Sequence, residues 1–163
     1  MYLMTLYLDM DGVLADFYKE YMKIDPEKAD RKKFRDAVME YHIFEKLDFL
    51  PDTQKLLDFV TTLENTKIEI LTSMGTFDYH QGIEARRQKL NWLSAHNINY
   101  HANFVNSKEE KAQYAGMNCI LVDDSVGCIE PFVVRGGIGI LHTSADKTIE
   151  ELTEIYDVLR IYA

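Results

Sequence analysis

Two pairs of aspartates have the residue type and spacing that chemistry on a charged ligand needs. Asp9 and Asp11 directly follow an apolar run, and Asp123 and Asp124 end another. Carboxylates gathered in one place have raised pKa values unless a cation neutralises them. Sites made of oxygen atoms suit Mg²⁺, which shares its coordination shell with phosphate groups. We therefore expect these four side chains to bind Mg²⁺ and to act on a phosphorylated ligand.

Two hydroxyls and a lysine could complete such a site. A carboxylate can attack phosphorus, and a carboxyl group two residues away can protonate the leaving group and then activate water. Thr72, beside Ser73, could donate a hydrogen bond to a phosphoryl oxygen, and one fixed cation is needed for the developing charge. Both Lys108 and Lys111 precede the strand that ends at Asp123, and we favour Lys111 because it directly precedes the Ala-Gln-Tyr-Ala run. These residue types predict phosphoryl transfer to water.

Alternating strands and helices must position these residues. Short runs of β-prone apolar residues predict five strands: Tyr2–Leu8, Lys67–Leu71, Phe104–Val105, Asn118–Val122 and Ile138–Leu141. Helical patterns cover residues 15–24, 27–41, 51–63, 81–96, 108–114, 126–135 and 148–159. Strands that alternate with helices predict an α/β fold with a parallel sheet, which binds ligands beyond the carboxyl ends of its strands. The acids, the hydroxyls and the lysine should therefore meet at one edge.

The first two predicted strands are unusually far apart. About 55 mostly helical residues separate them, which is more than an ordinary crossover needs. We therefore expect residues 16–66 to be a helical insertion that closes over a core made of residues 1–15 and 67–163. Within the core, the charged run from Arg86 to Lys89 is expected to be the solvated face of a helix.

Bulk properties narrow the class of partner. The chain has 163 residues and a net charge of -9. Such acidity disfavours sequence-independent binding to duplex nucleic acid. No apolar stretch reaches the length needed to span a bilayer, the N-terminal apolar run reads as a strand, and Cys119 and Cys128 suggest a reducing compartment. We expect a soluble cytoplasmic protein without a membrane partner. Its oligomeric state is left open.

Four segments together resemble the haloacid dehalogenase superfamily. Asp9-Met-Asp-Gly-Val-Leu-Ala-Asp-Phe17 resembles its first motif, in the form typical of the 5'(3')-deoxyribonucleotidase branch. Ile70–Ser73 resembles the second motif, Lys111–Ala115 the third and Ile120–Asp124 the fourth. Phe44–Pro51 resembles the segment that leads from the cap of that family back into its core. The resemblance covers nearly the whole chain.

The resemblance implies a Rossmann-like core with a parallel sheet, a small helical cap inserted after the first strand, and Mg²⁺ as the cofactor. It implies that Asp9 is the nucleophile and a metal ligand, and that Asp11 is the general acid and base, with its carbonyl on the metal. The other implied roles are phosphate binding by Thr72, Ser73 and Lys111, and metal binding by Asp123 and Asp124.

The resemblance also implies a substrate. Deoxyribonucleotidases stack the base on aromatic cap residues, and Phe17, Phe44 and Phe49 are the candidates here. The implied function is hydrolysis of nucleoside monophosphates, in particular deoxy forms. Ser125 and Met74 depart from that branch, which often has Arg and Pro there, and both departures concern substrate choice. The alternatives are a phosphatase for another small metabolite or a nucleic-acid end, and a non-catalytic protein that binds a phosphorylated ligand. The second is disfavoured because none of the acids is missing.

Overall fold

The fold is built on five parallel strands. The computed structural model describes residues 4–162, with side chains for residues 4–160, so Tyr2 and Leu3 of the first predicted strand lie outside the described residues. The strands are β1 (Met4–Leu8), β2 (Thr66–Ser73), β3 (His101–Val105), β4 (Cys119–Asp123) and β5 (Ile138–Leu141), in the spatial order β3-β2-β1-β4-β5. Every neighbouring pair is parallel. The predicted α/β fold with a parallel sheet is confirmed.

Six α-helices and two 3-10 helices connect the strands. They are α1 (Phe17–Tyr21), α2 (Asp30–Met39), a 3-10 helix (Ile43–Glu45), α3 (Thr53–Val60), α4 (Tyr79–Ala95), a second 3-10 helix (Glu109–Tyr114), α5 (Val126–Val134) and α6 (Ala145–Tyr162). No helix among residues 4–162 has the length and apolar character needed to cross a membrane.

The sheet is buried on both faces, as is usual for a parallel sheet with helices on either side. Leu6 and Leu8 of β1 point into the larger apolar core, whereas Tyr7 between them joins a second cluster with Leu121 and Phe132. This two-sided burial explains why β1 reads as a continuous apolar run.

The chain order creates a crevice beside β1. From β1 the sheet first extends in one direction, through β2 to β3. The chain then returns past β1, and β4 pairs with the other edge of β1. Leu8 lies opposite both Ile70 and Val122, and the Asp9 amide donates to the Val122 carbonyl at 3.0 Å. Asp9 and Asp123 are therefore neighbours at the topological switch point, where open parallel sheets bind ligands.

Helices α1, α2 and α3 fill the long connection between β1 and β2, and two hydrogen bonds join α2 and the 3-10 helix that follows it to α4. The Gln88 side chain donates to the Val38 carbonyl at 2.7 Å and accepts from the Phe44 amide at 3.3 Å. Because Gln88 is buried and uses both ends of its carboxamide, it fixes the inserted segment against the core.

Several predicted boundaries are wrong, for local physical reasons. The helix predicted from Pro51 begins at Thr53, because the backbone of Asp52 is not helical, and the Asp52 side chain accepts the Ala145 amide at 2.6 Å. This bond lets α6 begin at Ala145 rather than at Thr148. Strand β2 continues through Ser73, and β3 begins at His101 rather than at Phe104, because pairing with β2 extends it.

Candidate active site

Three carboxylates form the centre of the site. Asp9 follows β1, Asp123 ends β4 and Asp124 comes next, and each offers an oxygen atom within 4.8 Å of the other two. Gly12 makes room for this cluster: it has a φ of +84°, and an added Cβ would lie 2.1 Å from Asp124 Oδ2. A side chain at residue 12 would therefore be strained by the positive φ and would require the Asp124 carboxylate to move.

Lys111 joins two of these carboxylates. Its Nζ donates to Asp9 Oδ1 at 2.8 Å and to Asp123 Oδ2 at 2.7 Å, and the residue is 1% exposed. Burial alone would lower the pKa of Lys111, but the Asp9 and Asp123 carboxylates raise it well above its usual value. Lys108 points elsewhere, and its Nζ donates to Ser125 Oγ at 3.2 Å. Of the two candidate lysines, the structure therefore brings Lys111 to the acids.

One ammonium does not balance three carboxylates. Burial raises the pKa of Asp9, as does the neighbouring Asp123. Burial also raises the pKa of Asp124 to about 6, with further contributions from Asp9 and Asp123. The donor set contains only carboxylate oxygens, which suits Mg²⁺. These three side chains could therefore hold a divalent cation that would relieve their repulsion.

This excess of negative charge predicts an unusual stability effect for Asp124→Asn. In protein treated with a chelator at pH 7.5, we expect the substitution to raise the melting temperature, because it removes a charge that the folded state disfavours. A carboxyl pKa raised by folding lowers stability above that pKa, and the effect disappears as pH falls. The gain should therefore shrink toward pH 5, below the wild-type pKa of about 6.

Thermal unfolding with EDTA or Mg²⁺ at both pH values checks this prediction, with the exposed Glu154→Gln as the matched control. Added Mg²⁺ should stabilise the wild type more than Asp124→Asn. Equal stabilisation of both by Mg²⁺ would contradict a role for Asp124 in metal binding.

A second buried lysine holds Asp11. Lys89 of α4 is 0% exposed, and its Nζ donates to Asp11 Oδ2 at 2.8 Å and to Thr72 Oγ1 at 2.7 Å. The other Asp11 oxygen, Oδ1, is the one buried side-chain polar atom without a hydrogen-bond partner in the described part of the chain. The carboxylate is thus fixed through Oδ2, while Oδ1 is a buried acceptor to which no described residue donates.

The prediction that the run from Arg86 to Lys89 is a solvated face is wrong for Gln88 and Lys89, which are both fully buried, whereas Arg86 and Arg87 are exposed. Helical spacing contained the missing signal. Lys89 lies four residues after Ala85 and three before Trp92, so it shares the buried face of α4 with them. A cation on an apolar helix face needs a buried anion, and Asp11 supplies it.

A cavity of about 950 Å³ opens above these residues. Asp9, Asp11, Lys111, Asp123 and Asp124 lie in its wall, together with Ser73. Thr72 is buried beneath that wall, where its hydroxyl oxygen accepts from Lys89. The cavity is larger than a phosphate group needs and falls in the size range of small-molecule sites.

Aromatic residues line the part of the cavity formed by the inserted helices. These residues are Phe17, Tyr18, Tyr21, Phe34 and Phe44. The Phe17 ring stacks on Tyr21, with 5.0 Å between ring centroids, and on Phe44 at 5.7 Å. Of the three predicted pocket aromatics, the structure therefore places Phe17 and Phe44 in the wall.

Phe49, the third predicted pocket aromatic, lies away from the cavity wall. Its ring stacks on His96 with 4.7 Å between centroids and packs against Trp92 at 5.7 Å. The indole nitrogen of Trp92 also donates to the Leu47 carbonyl at 2.7 Å. Phe49 thus packs the segment that leads into α3 against α4.

Cys128 also lies in the cavity wall but is unsuited to act as a nucleophile. The residue is buried, and burial raises the pKa of its thiol to about 12. The thiol therefore stays protonated near neutral pH, and the reactive form of a cysteine is the thiolate. Cys128 is therefore not a candidate nucleophile.

Comparison with known proteins identifies the fold. No protein-family model matches the chain, and no curated protein matches it. A solved hydrolase from Streptococcus pneumoniae TIGR4 superposes with a TM-score of 0.56 at 15% identity, covering 96% of this chain and 100% of that one. A solved dehalogenase gives a TM-score of 0.55 at 12% identity, covering 84% of this chain and 83% of that one.

A third solved structure, an uncharacterized protein from Corynebacterium glutamicum ATCC 13032 Kitasato, gives a TM-score of 0.51 at 16% identity, covering 95% of this chain and 96% of that one. At these identities the likeness concerns the fold alone. The chain shares a Rossmann-like α/β fold with these solved structures, as the sequence predicted.

Proposed function

We propose that this protein is a Mg²⁺-dependent phosphatase that hydrolyses phosphate monoesters through an aspartyl-phosphate on Asp9. One observation carries the proposal. The Asp9 carboxylate lies in the wall of a ligand-sized cavity, Lys111 fixes it at 2.8 Å, and the wall also contains Asp11, which has one oxygen without a partner. These are the geometric roles of a nucleophile, an electrostatic stabiliser and a proton carrier.

In the first step, an Asp9 oxygen attacks phosphorus and the ester P–O bond breaks. Asp11 enters this step protonated, and it gives its proton to the leaving oxygen. Burial raises the pKa of Asp11, which favours the protonated form that this step needs. Lys89 donates to Oδ2 and so fixes the orientation of the carboxyl group beside Asp9.

In the second step, the Asp11 carboxylate takes a proton from water, and the water oxygen attacks phosphorus. The bond between phosphorus and Asp9 breaks, which restores the Asp9 carboxylate and releases inorganic phosphate. Lys111 faces the nucleophile throughout, where a fixed cation stabilises developing charge in both steps.

Asp9, Asp123 and Asp124 would hold the metal ion, with the Asp11 carbonyl as a further ligand implied by the resemblance. When bound, Mg²⁺ supplies positive charge that keeps Asp9 ionised and draws electron density from the phosphoryl group.

We propose a nucleoside monophosphate, in particular a deoxynucleotide, as the substrate. The aromatic wall is supporting evidence, because flat rings pack well against a base. The charges at the edge of the cavity include Arg31 and Lys108 together with Asp30 and Glu109, so cations and anions are equal in number there. Because the positive and negative charges at this edge are equal in number, it would not attract a second phosphate group, and it suits a leaving group without charge. Because the protein has a net charge of -9, we do not propose duplex nucleic acid as a partner.

Phosphate release tests this function. The panel contains ribo- and deoxyribonucleoside monophosphates, sugar phosphates and an aryl phosphate, each with Mg²⁺ or EDTA. We expect release only with Mg²⁺, and the highest kcat/KM for deoxynucleotides. Turnover of sugar phosphates alone would leave the chemistry standing and overturn the nucleotide assignment. Tight binding of nucleotides without release would favour the non-catalytic alternative.

A further inference from the structure

Gln81 is a buried polar residue that the chemistry described above does not use. It lies in the first turn of α4, where its backbone amide donates to the Asp78 side chain at 2.8 Å. This bond fixes the start of the helix and therefore the direction from which the Gln81 side chain leaves it. The residue is 6% exposed and lies in the wall of the cavity.

The Gln81 carboxamide makes no hydrogen bond to any residue that the structure describes. Its oxygen and nitrogen are not fully buried, so they are reached from outside in a residue that lines the cavity. Gln88, two turns later on the same buried face, shows the contrast. Its carboxamide bonds Val38, Glu84 and Phe44. Contacts within the protein therefore explain why Gln88 is a buried polar residue, but they do not explain Gln81.

A ligand that fills the cavity would remove water from the Gln81 carboxamide. A buried carboxamide without a partner is unfavourable, so a ligand that fits this cavity must supply hydrogen-bonding atoms at that point. The carboxamide offers an acceptor and two donor hydrogens side by side. It therefore matches a flat edge with a donor next to an acceptor, as amide-bearing heterocycles have.

The position of Gln81 decides which part of the substrate it contacts. Lys89 marks the reacting end, because it contacts Asp11 and Thr72. Gln81 precedes Lys89 by eight residues, which places it about 12 Å away along the helix axis at 1.5 Å per residue. Gln81 forms no hydrogen bond with Lys89 or with the residues that Lys89 contacts, so its carboxamide is available to the leaving group.

Phe77 supports a flat ring at this place. It lies in the loop just before α4, lines the same cavity and is 74% exposed. An aromatic face in the open wall, a few residues from an open carboxamide, suits a ring that stacks and hydrogen-bonds at its edge at the same time.

We propose that Gln81 is a specificity-determining residue that hydrogen-bonds the donor–acceptor edge of the heterocyclic base in the leaving group. This inference rests on the proposed nucleotidase function. It adds that the oxygen and the nitrogen of the Gln81 carboxamide distinguish one base from another. A site built to hydrogen-bond a substrate edge discriminates against analogues that lack it.

The test compares kcat/KM for the best nucleotide with kcat/KM for an aryl phosphate, which has no such edge. In Gln81→Leu, which keeps the volume of the side chain, the ratio should fall by about 10- to 100-fold. Gln81→Glu, which removes the donor hydrogens, should change the order of preference among bases. The exposed Gln54→Leu on α3 is the matched control and should leave the ratio unchanged.

The outcomes separate the inference from the function on which it rests. If the wild type hydrolyses nucleotides and neither Gln81 variant changes the ratio or the order of bases, Gln81 does not read the substrate, and the nucleotidase function stands. If the wild type releases phosphate only from other esters, the nucleotide assignment and base recognition by Gln81 fall together. Melting temperatures of both variants exclude misfolding as the cause of a changed ratio.

Discussion

Asp9→Asn is expected to lower kcat by at least about 10⁴-fold, because loss of a covalent nucleophile removes most of the catalysis that a site provides. The amide is nearly the same size as the carboxylate but is a poor nucleophile toward phosphorus. The substitution also removes one of the two anionic partners of Lys111. Phosphate release with saturating Mg²⁺ measures the loss, and Asp58→Asn on the exposed face of α3 is the control.

Trapping the phosphoenzyme shows whether activity is lost because the aspartyl-phosphate can no longer form. An aryl phosphate with a good leaving group needs little protonation, so Asp11→Asn should still form the aspartyl-phosphate but hydrolyse it slowly. A phosphoprotein that hydroxylamine cleaves should therefore accumulate in Asp11→Asn and be absent from Asp9→Asn. More than about one per cent of wild-type activity in Asp9→Asn would mean that Asp9 is not the nucleophile.

The sequence predicts the fold and the acidic centre well, because both depend on local patterns. Apolar runs ending in Asp9 and Asp123 identify β1 and β4 and place both acids at the same edge of a parallel sheet. That step needs only the rule that ligands lie beyond the carboxyl ends of strands. The preference for Lys111 over Lys108 agrees with the contacts in the structure, although it rested on chain position alone.

Residues on α4 were harder to predict, because their roles depend on contacts far along the chain. Lys89 contacts Asp11, 78 residues away, and Gln88 contacts Val38, 50 residues away. A charged run gives no indication of which of its members turns inward unless its helical phase is compared with Ala85 and Trp92. The resemblance predicts Phe49 as a pocket residue, but its ring packs against Trp92 and His96 instead.

Lys89→Met is expected to impair both stability and catalysis. Asp11 would lose the ammonium that contacts its carboxylate, and breaking a buried ion pair from one side is destabilising by up to about 3–5 kcal/mol. Burial would then raise the pKa of Asp11 further, because the Lys89 charge no longer lowers it. Proton transfer by a positioned side chain contributes about 10²- to 10⁴-fold, so we expect kcat to fall within that range. Urea unfolding and steady-state kinetics measure the two effects.

Combining this substitution with Asp11→Asn distinguishes a specific pair from general damage to α4. Asp11→Asn removes the charge that Lys89 neutralises, so Lys89→Met should destabilise that background much less than it destabilises the wild type. The coupling free energy should reach about 0.5–3 kcal/mol, the range found for residues in contact. Phosphate release should also be insensitive to Lys89→Met once Asp11 is replaced, because a lysine that acts by positioning Asp11 has nothing left to position. Additive losses in stability and in kcat would instead mean that Lys89 serves Thr72 or the packing of α4, and that Asp11 keeps its geometry without it.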